Sequence, residues 1–186
     1  MEEMNRLRNY ELVGIPVILM IATVFASIFS NLGNGTIWQQ LIVVDNISLF
    51  QIAQYMFMGI LLYSAFEYAV LADEYPNFVF AKAACAIAGP FIFLFLTYFF
   101  NSTFSYTDNS LYVATFLVGV SVGQLLSYYF LREGYYFRLM NAYGALAFLL
   151  LLMVFYVYAN NRIFFSPIFE PLTTYENIVN PPYYTR

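Results

Sequence analysis

No histidine occurs among the 186 residues, and Cys85 is the lone cysteine. An intrachain disulfide is therefore excluded, and the usual ligands for zinc, copper, haem iron and iron–sulfur clusters are missing. Histidine-based acid–base and triad chemistry goes with them, leaving Asp, Glu, Lys and Tyr as the residues any reaction would have to use. No catalytic residue, no metal site and no cofactor are expected. A hard cation held by carboxylates is the metal chemistry that composition leaves open in principle.

Charge is scarce as well, at 10% of the residues, with seven Lys and Arg against eleven Asp and Glu for a net charge of -4. The basic residues are scattered, so the chain lacks the basic face that nucleic acid requires, and nucleic acid is not expected as a partner. What is abundant is apolar: 62% of the residues are hydrophobic and the mean hydropathy is +0.68, well above an ordinary soluble domain. An integral membrane protein is expected, with the lipid bilayer as its first partner.

Five segments are long enough to span about 30 Å of hydrocarbon, which takes roughly 20 helical residues. They cover residues 12–32, 49–72, 78–100, 110–131 and 139–159. The fold expected is all-α, a single bundle of five transmembrane helices over residues 1–160. Arg6 and Arg8 precede the first run as in a signal peptide, but the run is too long and lacks a small-x-small cleavage site. Arg6, Arg8, Lys82, Arg132 and Arg138 fall on one side of such a bundle, and Arg162 and Arg186 on the other. By the positive-inside rule the N-terminus is cytoplasmic, and an odd number of spans leaves the C-terminus outside. Residues 161–186 are broken by Pro167, Pro171, Pro181 and Pro182, yet too aromatic for a solvated tail. They are expected to fold over the outer face.

Aromatic clusters flank the predicted loops. Tyr98, Phe99, Phe100, Phe104, Tyr106 and Tyr112 bracket the outer 3–4 loop, and Tyr128, Tyr129, Tyr135, Tyr136 and Phe137 the inner 4–5 loop. Interfacial anchoring explains them, with an aromatic ligand cage as the alternative.

Ionisable groups inside a span are costly and mark functional sites by default. Glu67 near the inner end of span 2 and Lys82 near the inner start of span 3 qualify. They are equidistant from the turn at Asp73-Glu74, so a helical hairpin brings them to the same depth. Two roles are open: an ion pair that locks the hairpin, or a proton or ion relay in a transporter.

Gly119, Gly123 and Ser127 recur every four residues along span 4, and Ala81, Cys85 and Gly89 do the same along span 3. Small residues at that spacing let helix backbones approach closely, either within the bundle or between subunits. Gly89-Pro90 in span 3 and Gly14-Ile15-Pro16 in span 1 can kink their helices, without the matched pair of breaks that marks a transporter site.

The stretch DNISLFQIAQY, residues 45–55, heads span 2. Ser48 and Gln51 fit a capping box, and Asp45 and Asn46 the turn before it. Gln54 lies beyond the reach of capping, on the face of Gln51 and Tyr55. Asn46, Gln51, Gln54, Tyr55 and Gln124 are therefore expected to line a polar cavity open to the outer side.

The chain also resembles a family of bacterial multi-pass membrane proteins of similar length whose function is unknown. Asn46 and Ser48, Glu67-Tyr68, and Asn77-Phe78-Val79-Phe80-Ala81-Lys82 match its elements in order. Gly123-Gln124-Leu125-Leu126-Ser127-Tyr128 and Pro167-Ile168-Phe169-Glu170-Pro171-Leu172-Thr173 look like later ones. The resemblance implies a bacterial cytoplasmic membrane. Where the family pattern carries acidic, histidine and lysine side chains, this chain has Ile47, Gln51, Ile52 and Gln54. A histidine and a glutamate of the family's first span fall near Ala26 and Ser30 here. Any chemistry at those groups would be lost.

The residues together point to a non-catalytic structural or interaction subunit of the cell membrane, joined to another copy or to a different membrane protein. The alternative is a small transporter or channel using Glu67, Lys82 and the amide-lined cavity. A continuous polar path would favour the alternative, and a close-packed interior the first reading.

Overall fold

The computed structural model describes residues 2–31, 49–104, 109–134 and 139–161. Asn46, Ser48 and the tail expected to cap the bundle lie outside these residues. Five helices make up the structure: α1 (Glu2–Asn31), α2 (Leu49–Leu71), α3 (Phe78–Phe104), α4 (Asn109–Glu133) and α5 (Met140–Asn161). Each is long and apolar enough to cross a membrane. α2 and α5 keep the expected bounds to within two residues, while α3 runs four residues further and takes in Asn101-Ser102-Thr103.

The main difference lies in α1, which begins ten residues before the apolar run. Hydropathy detects only the part of a helix that is apolar all round, whereas the early turns of α1 are amphipathic, with Leu7 and Glu11 the buried side chains among the described residues 5–11. α1 and α3 continue as helix through Pro16 and Pro90 without interruption.

α1 packs on α2 and α4, and α3 also packs on α2 and α4, so four helices form a ring; α5 lies outside it against α3. The closest seam joins α3 to α4. A Cβ on Gly119 would stand 2.6 Å from the Gly89 carbonyl oxygen, and one on Gly123 3.0 Å from Cys85 Sγ. The two small-residue columns thus face one another within the chain. Gly144 performs the same task for α5, its backbone seated on Phe80 and Val79. Phe148 and Phe155 of α5 pack on Phe57 of α2.

The α2–α3 turn is held from three directions. Asn77 donates to the Phe130 carbonyl of α4 at 2.6 Å, and its own carbonyl accepts the Ala81 amide, opening α3. Asn141 of α5 donates to the Pro76 carbonyl at 2.6 Å and accepts the Phe80 amide at 3.3 Å. Phe80 lies in the first turn of α3, where amides have no partner inside the helix, so a neighbouring helix supplies the cap. At the rim, Arg6 of α1 pairs with Glu74 at 2.6 Å.

Two apolar cores result. The larger, including Ile18, Met56, Phe57, Ile60, Ala86, Phe93 and Val120, fills the middle of the ring and continues towards its far end. The smaller, Leu7, Leu71, Phe78, Ala81 and Leu131, sits at the α2–α3 turn. Between them lies a layer of charge.

Candidate functional site

Every ring helix contributes to that layer: Glu11 from α1, Glu67 from α2, Lys82 from α3, and Ser127 from α4, which also brings Gln124. Glu11, Glu67, Lys82 and Ser127 each stand four residues, about one helical turn, from a member of the smaller core on the same helix: Leu7, Leu71, Phe78 and Leu131. One turn therefore separates a charged stratum from an apolar plug. All four polar residues are buried, Glu67 completely and Lys82 to 1% exposure.

The geometry centres on the Lys82 ammonium. Nζ lies 2.5 Å from Glu67 Oε2 and 2.8 Å from Glu11 Oε1. Ser127 Oγ donates to the same Glu11 oxygen at 2.9 Å, and Gln124 Oε1 accepts from Lys82 at 3.5 Å. The Phe78 ring closes the plug side, its centroid 5.6 Å from Nζ. The Glu67 contact is an ion pair off the axis of a hydrogen bond. Both Glu67 oxygens and Glu11 Oε2 consequently receive no directed donor although they are buried. Two carboxylates thus converge on one ammonium.

On the side away from the plug, Gly14 of α1 admits two large neighbours. A Cβ there would lie 2.5 Å from Gln124 Nε2 and 2.6 Å from Tyr63 Cε1. Tyr63 uses its hydroxyl to donate to the Tyr10 carbonyl at 2.6 Å, tying α2 to α1. Beyond this level the ring closes again, where a Cβ on Gly59 would stand 2.9 Å from the Ile18 carbonyl oxygen.

Glu67 and Lys82 therefore meet at the depth their equal distance from the turn implies. Glu11 lies one residue outside span 1 as hydropathy bounds it, so apolar run length does not reveal it. The available signal was its spacing: Leu7, Glu11 and Gly14 fall on one helical face that continues into Ile18. Ser127, read as a packing residue, is also a hydrogen-bond donor to Glu11.

The expected polar cavity needs correction. Gln124 belongs to the charged layer, and Glu67 in that layer is sixteen residues from Gln51 along α2, about 24 Å of helix. Gln51 and Gln54 are buried, and Gln51 Nε2 donates to Tyr55 Oη at 2.9 Å; the capping box expected with Ser48 lies outside the described residues. In that half of the bundle a cleft of about 220 Å³ opens among α1, α2 and α4. Tyr55 lines it, but its walls are otherwise mainly apolar, with Leu19, Ala22, Ile52 and Phe116 among them. Of the described residues expected to share a cavity, only Tyr55 lines this cleft. The amides fail to line it because their own helix turns them into the core. Among the described residues no group of three or more His, Cys, Asp or Glu is arranged to hold a metal ion.

The model of a family of unknown function matches residues 1–174, and so takes in every element of this layer. The chain belongs to that family, DUF6512. Family membership covers all five helices. No curated protein and no solved structure matches the chain.

Proposed function

We propose that this member of DUF6512 is a non-catalytic helical scaffold of the cell membrane that acts by association, with a second copy or with another membrane protein. Membrane residence is supported by an inverted distribution of polarity. Phe91, Met20 and Leu149 are 67%, 66% and 63% exposed, while Glu67 and Lys82 are buried at 0% and 1%. Such a surface suits lipid and is poorly suited to water. The N-terminus and the α2–α3 turn are assigned to the cytoplasmic side and the C-terminus to the outside. Lys82, being inside the bundle, drops out of the loop tally. Arg6, Arg8, Arg132 and Arg138 then stand against Arg162 and Arg186, which keeps the sign of the asymmetry.

The observation that carries the scaffold reading is the sealing of the charged layer. An apolar plug lies on one side, and close helix contacts with a large apolar core on the other. The charges of three helices are engaged with one another and joined by the neutral Ser127 and Gln124 of a fourth, and α1 and α3 run unbroken through Pro16 and Pro90. A conduit needs a polar path or broken helices at the site. The ion pairs act as a clasp that fixes which helix faces meet, the specificity role for which buried charge is retained in some proteins.

Reconstitution tests this reading. Purified chain in liposomes should give no ion flux above protein-free liposomes under an imposed potential, and crosslinking in native membranes should give a discrete higher-mass species. A flux abolished by Glu67→Gln would overturn the scaffold reading in favour of the transporter or channel. A chain that crosslinks to nothing would remove association.

A further inference from the structure

We propose that the Glu11–Glu67–Lys82 layer is a proton-binding site that holds one exchangeable proton and is electrically neutral when filled. The first observation is the charge count. Two carboxylates share one ammonium, and no second cation faces them among the described residues. α4 brings only the neutral Gln124 and Ser127. The other titratable groups nearby are Tyr10, Tyr63, whose hydroxyl donates to the Tyr10 backbone carbonyl, and Cys85. None of these carries positive charge. Arg6 is at the rim and engaged by Glu74. Fully ionised, the layer would bury one uncompensated negative charge between two apolar cores, the arrangement that buried sites avoid by taking up a proton.

The second observation is independent of the first. Glu67 Oε1, Glu67 Oε2 and Glu11 Oε2 are buried and accept no hydrogen bond. Glu11 Oε1, in contrast, accepts from both Lys82 and Ser127. Directed donors stabilise a carboxylate, but Lys82 Nζ stands closer still to Glu67 Oε2, at 2.5 Å against 2.8 Å for Glu11, so the proton belongs to the pair of carboxyls and not to one of them. Glu11 Oε2 keeps an unused acceptor lone pair in the same layer. Filling the site converts one of the two carboxylates to the carboxylic acid with a proton drawn from water, and no other group is consumed.

The inference stands apart from the scaffold reading, since a proton can be bound by a static clasp or by a conduit. Liposome flux distinguishes those two, whereas the bound proton is read spectroscopically. Infrared difference spectra of the purified full chain near neutral pH should show one protonated-carboxyl C=O band that shifts in heavy water. Exposed carboxylates are ionised there and do not contribute. Glu67→Gln should abolish the band. Glu11→Gln should abolish it too, because the remaining carboxylate then balances Lys82 by itself. Lys82→Met should double it, since both carboxyls must then be neutral. Absence of the band from the unmodified chain, its persistence in either Gln variant, or an unchanged band in Lys82→Met would overturn the proposal. The near-isosteric Gln variants decide the matter if Lys82→Met fails to fold.

Discussion

Lys82 and Glu11 are 71 positions apart in the chain and 2.8 Å apart in the structure. That contact joins α1 to α3 across the centre of the ring, although the two helices are mainly packed on α2 and α4. It makes the charged layer a property of the whole ring rather than of the α2–α3 hairpin.

Removing the ammonium should therefore loosen more than one helix pair. Lys82→Met leaves two buried carboxyls without their cation, and breaking a buried pair from one side costs about 3–5 kcal/mol. Arg6→Ala removes a pair whose side chains are 45% and 37% exposed, and exposed pairs contribute about 0–1 kcal/mol. Thermal unfolding in detergent should show a large drop for the first variant and little change for the second. Equal effects would mean that the buried layer is not the clasp.

The sequence made some of this layer legible and hid the rest for physical reasons. Helix number followed from apolar run length, because a membrane span must satisfy its backbone internally over a fixed thickness. Glu67 and Lys82 were readable as neighbours since a hairpin equates distance from the turn with depth. Glu11 was not, because a hydropathy window ends where polar residues begin, and an amphipathic helix end looks like a loop to it. Gln124 was put at the wrong depth for a related reason. It lies nine residues from the end of α4 that approaches the turn, a depth that places it with Lys82 and far from the α2 amides. The Gly119–Gly89 seam was visible in the spacing of small residues, though spacing alone left open whether it joins helices within the chain or between subunits.

That seam should tolerate no added methyl group. Gly119→Ala would place its Cβ 2.6 Å from the backbone oxygen of Gly89, which cannot rotate away, so α3 and α4 must separate. Overpacking of this kind costs about 1–3 kcal/mol. Gly134, just past the end of α4, has open space around it but a φ of 63°. Gly134→Asn should stay close to the parent because Asn accepts the left-handed conformation, while Gly134→Val should be penalised by its branched Cβ. Unfolding midpoints for the three variants check both arguments. A Gly119→Ala protein as stable as its parent would show that the helices can part freely.

Cys85 offers a labelling test of the same seam. Its side chain is fully buried, with the Gly123 backbone held close to Sγ. A maleimide should leave the folded protein unmodified and react after denaturation in SDS, since a thiol must be reached and ionised to react. Leu149→Cys places a second thiol on the exposed face of α5, where a lipid-soluble maleimide should modify it in the folded state. Rapid labelling of Cys85 in the folded chain would show that α3 and α4 separate on the time scale of the reaction.

The plug can be tested by shortening it. Leu71 and Leu131 are 0% and 2% exposed, each one turn from a polar member of the layer. Leu→Ala substitutions in a packed core cost about 2–5 kcal/mol each, and part of that cost reflects the space left behind. Here the space would lie beside charged groups, which attract water where a purely apolar void stays dry. Ser127→Cys supplies a reporter at the layer itself. In an otherwise unchanged chain a hydrophilic methanethiosulfonate should not reach it. With Leu71→Ala or Leu131→Ala added, the reagent should modify it, and only from the side of the bundle that bears the α2–α3 turn. Modification with the plug intact would mean that the layer already communicates with water, and the sealed-scaffold reading would fall with it.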